Sequence, residues 1–107
     1  MEERRDGKLA RSRLPFDDDH APLYTVGQVA DMLGVQPAFL RRLDTEEFVR
    51  PARSDGGQRR YTRHEVRDVE RIIGLADEGL TLVGIRRVLV LEATVRELQR
   101  QLDELQP

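Results

Sequence analysis

Arginine is the residue through which this chain could act on a partner. All but one of its 18 basic side chains are arginine. A guanidinium offers a planar fork of N–H donors that fits phosphate oxygens and the edge of guanine. Between Gln36 and Arg67 there are eight arginines (Arg41, Arg42, Arg50, Arg53, Arg59, Arg60, Arg63, Arg67) against five acids (Asp44, Glu46, Glu47, Asp55, Glu65). From Asp68 to Pro107 the balance reverses, with five arginines and eight acids. The net charge of −2 hides this segregation, and a polyanion responds to local clustering more than to the total. Such clustering permits binding of double-stranded DNA; a solvated face of an ordinary helical domain is the competing reading. The residues of catalysis are missing: His20 and His64 have no nucleophile or carboxylate at a useful spacing, and Asp17-Asp18-Asp19 lacks a partner motif for a metal. There is no cysteine, which excludes disulfides, thiolate metal sites and cysteine nucleophiles. No enzyme, cofactor or metal is expected.

The arginines need a scaffold, and local signals supply one. Thr25 and Gln28 form a capping box that opens a helix through Val26, Val29, Ala30 and Leu33, with Gly34 as its left-handed stop. Gln36 and Pro37 start a second helix, proline suiting its first turn. Phe39, Leu40 and Leu43 form that helix's apolar face, and Arg41 and Arg42 lie opposite. Two short helices joined by a glycine turn make a helix-turn-helix. Phe48 to Arg53, then Ser54-Asp55-Gly56-Gly57, then Gln58 to Tyr61 predict a two-stranded wing, with Pro51 confining the first strand to an edge. Thr62 and Glu65 form a second capping box for a helix running to Gly79, and Thr81 caps another.

Val88, Leu91, Val95, Leu98, Leu102 and Leu105 follow at steps of 3, 4, 3, 4 and 3, the a/d seam of a coiled coil flanked by Glu92, Arg96, Glu97 and Arg100. An isolated helix of this length is marginal in water, so the seam predicts a partner, and a homodimer is the simplest one. Packing of the stripe on its own domain is the competing reading. Residues 1–22 mix arginine, acids and two prolines without apolar period and read as a disordered arm. The expected layout is this arm, a winged-helix domain over 23–90, and a dimerisation helix over 91–107. The longest apolar stretch, Ile85 to Leu91, contains two arginines and is too short to cross a bilayer. The charged N-terminus has no signal core, so the expected location is the cytoplasm, with no membrane partner.

These residues resemble the MerR family of regulators. Leu40-Arg41, the wing strand from Gly57 to Tyr61, and Gly-Ile-Arg-Arg-Val-Leu-Val-Leu-Glu at Gly84 to Glu92 carry the resemblance. It extends from Leu23 to Leu105 and looks most like the heat-shock repressor (HspR) branch. The fold implied is mainly α: a winged helix-turn-helix with a small two-stranded wing and a C-terminal coiled-coil helix.

The resemblance implies a dimeric regulator that grips a pseudo-palindromic promoter site and distorts it, with repression favoured by the HspR-like joint. RNA polymerase or a chaperone would be its co-regulator. By resemblance Arg41 is the recognition-helix arginine, and Arg59 with Tyr61 meets the DNA backbone. Thr25, Gln36, Pro37, Arg42, Arg53 and Arg60 complete the expected DNA-binding set. No effector domain is expected after the last helix. The chain departs from the family at Leu43, where an aromatic is usual, at Glu47, near which a glycine is expected, at Phe48, and at Gln58. These departures bear on target sequence and binding strength. A MerR-like modulator that binds a chaperone or co-chaperone without DNA is the alternative function, and an excisionase-like architectural binder a further one.

Overall fold

The computed structural model describes residues 18–106. Its elements run β1 (Tyr24–Thr25), α1 (Val26–Leu33), α2 (Pro37–Thr45), β2 (Ala52–Arg53), β3 (Arg59–Tyr61), α3 (Arg63–Asp77) and α4 (Leu82–Leu105). The chain divides into two units between Arg71 and Ile72, inside α3. α4 is continuous through the 90/91 boundary expected from the sequence.

Within the first unit, the expected capping boxes form. The Thr25 hydroxyl accepts from the Gln28 backbone N–H at 3.1 Å, and the Thr25 N–H donates to the Gln28 side chain at 2.8 Å. Thr62 and Glu65 exchange the same pair of bonds at 2.9 Å each. The core of this unit is Val29, Ala30, Leu40, Leu43, Val49, Tyr61, Val66 and Val69, all buried. Removing an aliphatic side chain of this size from water contributes roughly 1.5–3 kcal/mol. The expected two-stranded wing is part of a three-stranded antiparallel sheet, ordered β1-β3-β2. Tyr24 pairs with Tyr61 and Thr25 with Arg60. A strand of two residues shows no alternation, so sequence periodicity misses it. β2 is also shorter than expected, because Phe48 and Val49 close α2 instead of pairing.

The end of α2 explains Glu47. The Phe48 N–H reaches back to the Leu43 carbonyl at 2.8 Å and the Glu47 N–H to Asp44 at 3.0 Å. This is a Schellman closure, which needs a left-handed residue between helix and exit. Glu47 takes it, with φ 64°, and is the sole non-glycine at positive φ among the described residues. α1 and α3 close in the same manner on Gly34 (φ 69°) and Gly79 (φ 97°). The glycine that the family pattern calls for near Glu47 therefore has a backbone reason.

The arm expected over 1–22 lies outside the described residues up to Asp17. Beyond that point contact begins earlier than Tyr24. The Asp19 carboxylate pairs with Arg67 and, at 3.9 Å, with Arg63, and its carbonyl accepts from the His64 N–H at 3.0 Å. The His20 and His64 rings lie 5.3 Å apart. Hydrogen bonding from Arg67 holds the Asp19 carboxyl below the usual aspartate range.

Within the second unit, Ile72, Leu75 and Ile85 are buried, and Thr81 caps α4 through the Gly84 N–H at 3.2 Å. Val88 and Leu89 are half-buried, and from Val90 on α4 leaves its large apolar residues in water: Leu91, Val95, Leu98, Leu102 and Leu105 are 52–79% exposed. Among the described residues no helix is long and apolar enough to cross a membrane.

Two predictions follow from backbone and core. Glu47→Gly should stabilise the chain by about 0.5–1 kcal/mol, the left-handed strain relieved less the glycine's extra freedom when unfolded. It would be seen as a higher thermal midpoint, and a lower one would contradict the assigned strain. Tyr61→Phe should leave stability unchanged or raise it by up to about 1 kcal/mol, since the hydroxyl is sealed from solvent without a protein partner. A clear loss in calorimetry would refute that reading.

Candidate nucleic-acid interface

The helix-turn-helix of the first unit presents α2 with one face in the core and the other in solvent. Leu40 and Leu43 are buried, whereas Gln36, Arg41 and Arg42 are exposed. Arg41 has no side-chain partner among the described residues, so its fork is free to engage a base edge or phosphate. Arg42 is tied to Glu46 one turn on, at 2.7 Å. Gln36 sits at the start of the helix with no side-chain capping bond, and Pro37 occupies the first turn. Their backbone end carries the helix's positive pole, suited to phosphate. The Thr25 hydroxyl is committed to its cap. Leu43 lies entirely in the core, so it is a packing residue and not a surface departure.

The wing closes through Ser54. Its carbonyl accepts from Gly57 N–H at 2.9 Å, and its hydroxyl accepts from Gln58 N–H at 3.2 Å. Gly57 supplies the left-handed step with φ 83°. Arg53 donates to the Gly57 carbonyl at 3.1 Å and so bridges the hairpin.

Alternation along β3 then sorts the arginines in a way the linear sequence does not display. Residues two apart on a strand share a face, so Arg59 goes with Tyr61 and Arg60 lies on the other side. Register places Arg53 opposite Arg59, on the same face. That face meets α2 at Asp44, a carboxylate only 9% exposed. Arg59 donates its Nε–H to Asp44 Oδ2 at 2.7 Å, Arg53 donates to the same oxygen at 3.3 Å, and Arg50 stands 4.0 Å from Oδ1.

Two expectations are corrected here. Tyr61, expected to meet the DNA backbone, is 1% exposed and belongs to the core, and burial raises its hydroxyl pKa. Arg59, expected beside it at the backbone, has a side chain 18% exposed and points inward at Asp44. Arg60 takes the outer face, its guanidinium resting on the Arg59 carbonyl at 3.2 Å. Sequence reasoning missed Asp44 and Arg50. A signal for Asp44 existed: an acid next to Leu43 and four residues after Leu40 falls beside the helix's apolar stripe, where a charge needs a partner.

In the second unit, Val88, Leu91, Glu92, Val95 and Arg96 line an apolar hollow on α4, and the seam residues from Leu91 onward are open to solvent. Arg100 bridges Glu97 and Glu104 along the helix flank, and its hydrogen bond lowers the Glu97 pKa. Among the described residues there is no group of three or more metal-binding side chains.

Comparison with known proteins places this geometry. Residues 24–91 match the model of the MerR HTH family regulatory proteins. The chain is 35% identical over 97 residues to the putative heat shock protein HspR of Streptomyces coelicolor, covering 89% of this chain and 64% of the relative's length. It is 28% identical over 88 residues to the HTH-type transcriptional regulator GlnR of Bacillus anthracis, covering 82% and 68%. Among solved structures, a MerR family transcriptional regulator from Bacillus cereus superposes with a TM-score of 0.59 at 22% identity, over 77% of this chain and 66% of that one. HiNmlR, a MerR family regulator lacking the sensor domain and bound to promoter DNA, gives 0.56 at 22% identity, over 77% and 74%. These two likenesses bear on the fold alone. The family match spans helix-turn-helix, wing and the first part of α4, and the chain belongs to the MerR family of helix-turn-helix regulatory proteins.

Proposed function

We propose that this chain is a transcription regulator that binds promoter DNA as a homodimer and represses. The observation that carries the reading is the free, exposed Arg41 on the outer face of α2, beside a wing that carries Arg53 and Arg60. In this reading α2 enters the major groove, where Arg41 pairs with a base edge. Arg60, Arg53 and Arg50 hold the flanking sugar-phosphate chain and fix register without reading sequence. Thr25, Gln36, Pro37 and Arg42 border this contact at the two helix starts and on the α2 surface.

A second copy pairs through the α4 seam, from Val88 to Leu105, and sets the spacing between two heads. The exposed leucines support this, since burying each against a partner contributes roughly 1.5–3 kcal/mol. Two heads on a pseudo-palindrome would distort the duplex between them, so readout combines contact with deformability. Repression, with a chaperone as co-regulator, rests on the resemblance of Gly84 to Glu92 to the heat-shock repressor branch. RNA polymerase is the other co-regulator the reading allows. The rival, a chaperone-binding modulator without DNA contacts, loses support because Leu43 is core and Glu46 is paired with Arg42.

Arg41→Ala should weaken binding to a selected duplex by about 1–3 kcal/mol and relax discrimination at one base pair. Arg60→Ala should weaken binding to every duplex and lower the salt slope by about one. Fluorescence anisotropy over a salt series reads both, and absence of wild-type binding at low salt would end the DNA reading. Leu98→Glu should turn a dimer into a monomer in light scattering. A wild-type chain that is itself monomeric would defeat the seam assignment.

A further inference from the structure

We infer that Asp44 is a positioning residue for DNA recognition: one carboxylate on the reading helix sets the pose of the wing that grips phosphate. The inference rests on the DNA-binding reading above. An acid close to a polyanion opposes binding, so its place on α2 calls for a compensating role. The geometry supplies one. Both strands of the wing are tied to Oδ2, Arg59 of β3 at 2.7 Å and Arg53 of β2 at 3.3 Å. Those strands are two and three residues long, too short to hold an angle against α2 by their own pairing.

The arginines around Asp44 differ in exposure, and the difference assigns their work. The Arg59 side chain is 18% exposed, Arg53 51% and Arg50 66%. Arg59 is a strut beneath the sheet, with its Nε–H held in a charge-assisted bond. Arg53 and Arg50 are the more exposed pair, with half or more of each side chain in solvent, where phosphate oxygens would arrive. Arg53 also holds the Gly57 carbonyl, so the carboxylate reaches the wing turn through it. The base-reading helix and the phosphate-gripping wing thus take a fixed mutual register from one side chain.

The test uses the full-length chain and two probes, a duplex selected by the wild type from a randomised library and a scrambled duplex of equal composition. Asp44→Asn should lower the ratio of selected to scrambled affinity about tenfold, within the range of coupling between residues in one network. If Asp44 acted only by repelling phosphate, the change would strengthen both probes equally and leave the ratio intact. If it served stability alone, the melting point would fall while the ratio, read well below the transition, stayed the same. Either result overturns the inference.

Arg59→Lys keeps the charge but loses the Nε–H fork, and it covers the case in which the Asn variant does not fold. It should also lower the ratio about tenfold, and an unchanged ratio overturns the inference while leaving DNA binding intact. A wild type that binds neither probe removes the DNA reading, and this inference with it.

Discussion

The Asp44 carboxylate, almost closed to solvent on α2, is the interaction on which the arrangement of the reading head turns. A charge in that position must be matched by nearby donors, because withdrawing it from water unpaired is far more expensive than any single packing gain. Arg59 and Arg53 provide the match from two different strands. The carboxylate therefore draws the hairpin onto the helix, and the hairpin in turn shields the carboxylate. Neither α2 nor a hairpin this short would hold the other in place through backbone bonds alone.

Around that contact the backbone is accounted for by local devices. All four helices start at a threonine or a proline, and the first three stop where the geometry demands a left-handed residue. α1 and α3 end on glycine, α2 on Glu47. The same closure on a residue with a Cβ stores strain next to Asp44 and Arg50. Glu47 also stands 3.7 Å from Arg50, a surface pair of small energetic weight. The helix end is thus set by the hydrogen-bond requirement of the chain and not by the preference of the side chain at the turn.

The second unit poses a different physical problem. α4 carries an apolar stripe with no cover over most of its length, bounded by acids and arginines that pair along the helix. Such a stripe is unfavourable in water, and the heptad step fits a straight facing helix better than a curved domain surface.

Local rules made much of this protein legible in its sequence. Capping boxes, glycine stops and apolar spacing predict α1, α2, α3 and α4 nearly to their ends, because each signal acts within four residues. The apolar stripe of α4 was legible for the same reason, and the resemblance in Leu40-Arg41 and the wing strand carried the family. What only the tertiary structure decided involves residues far apart in the chain. The direction of Arg59 and Tyr61 depends on β3 lying against α2, which brings Arg59 onto Asp44 across 15 positions. The grip of Asp19 on Arg67 spans 48, and β1 exists only because Tyr61 and Arg60 offer it free backbone groups. An arginine reads the same in a sequence whether it meets a phosphate or an aspartate; which of the two it reaches is fixed by the face of the strand it occupies and by the charge that the fold buries beneath it.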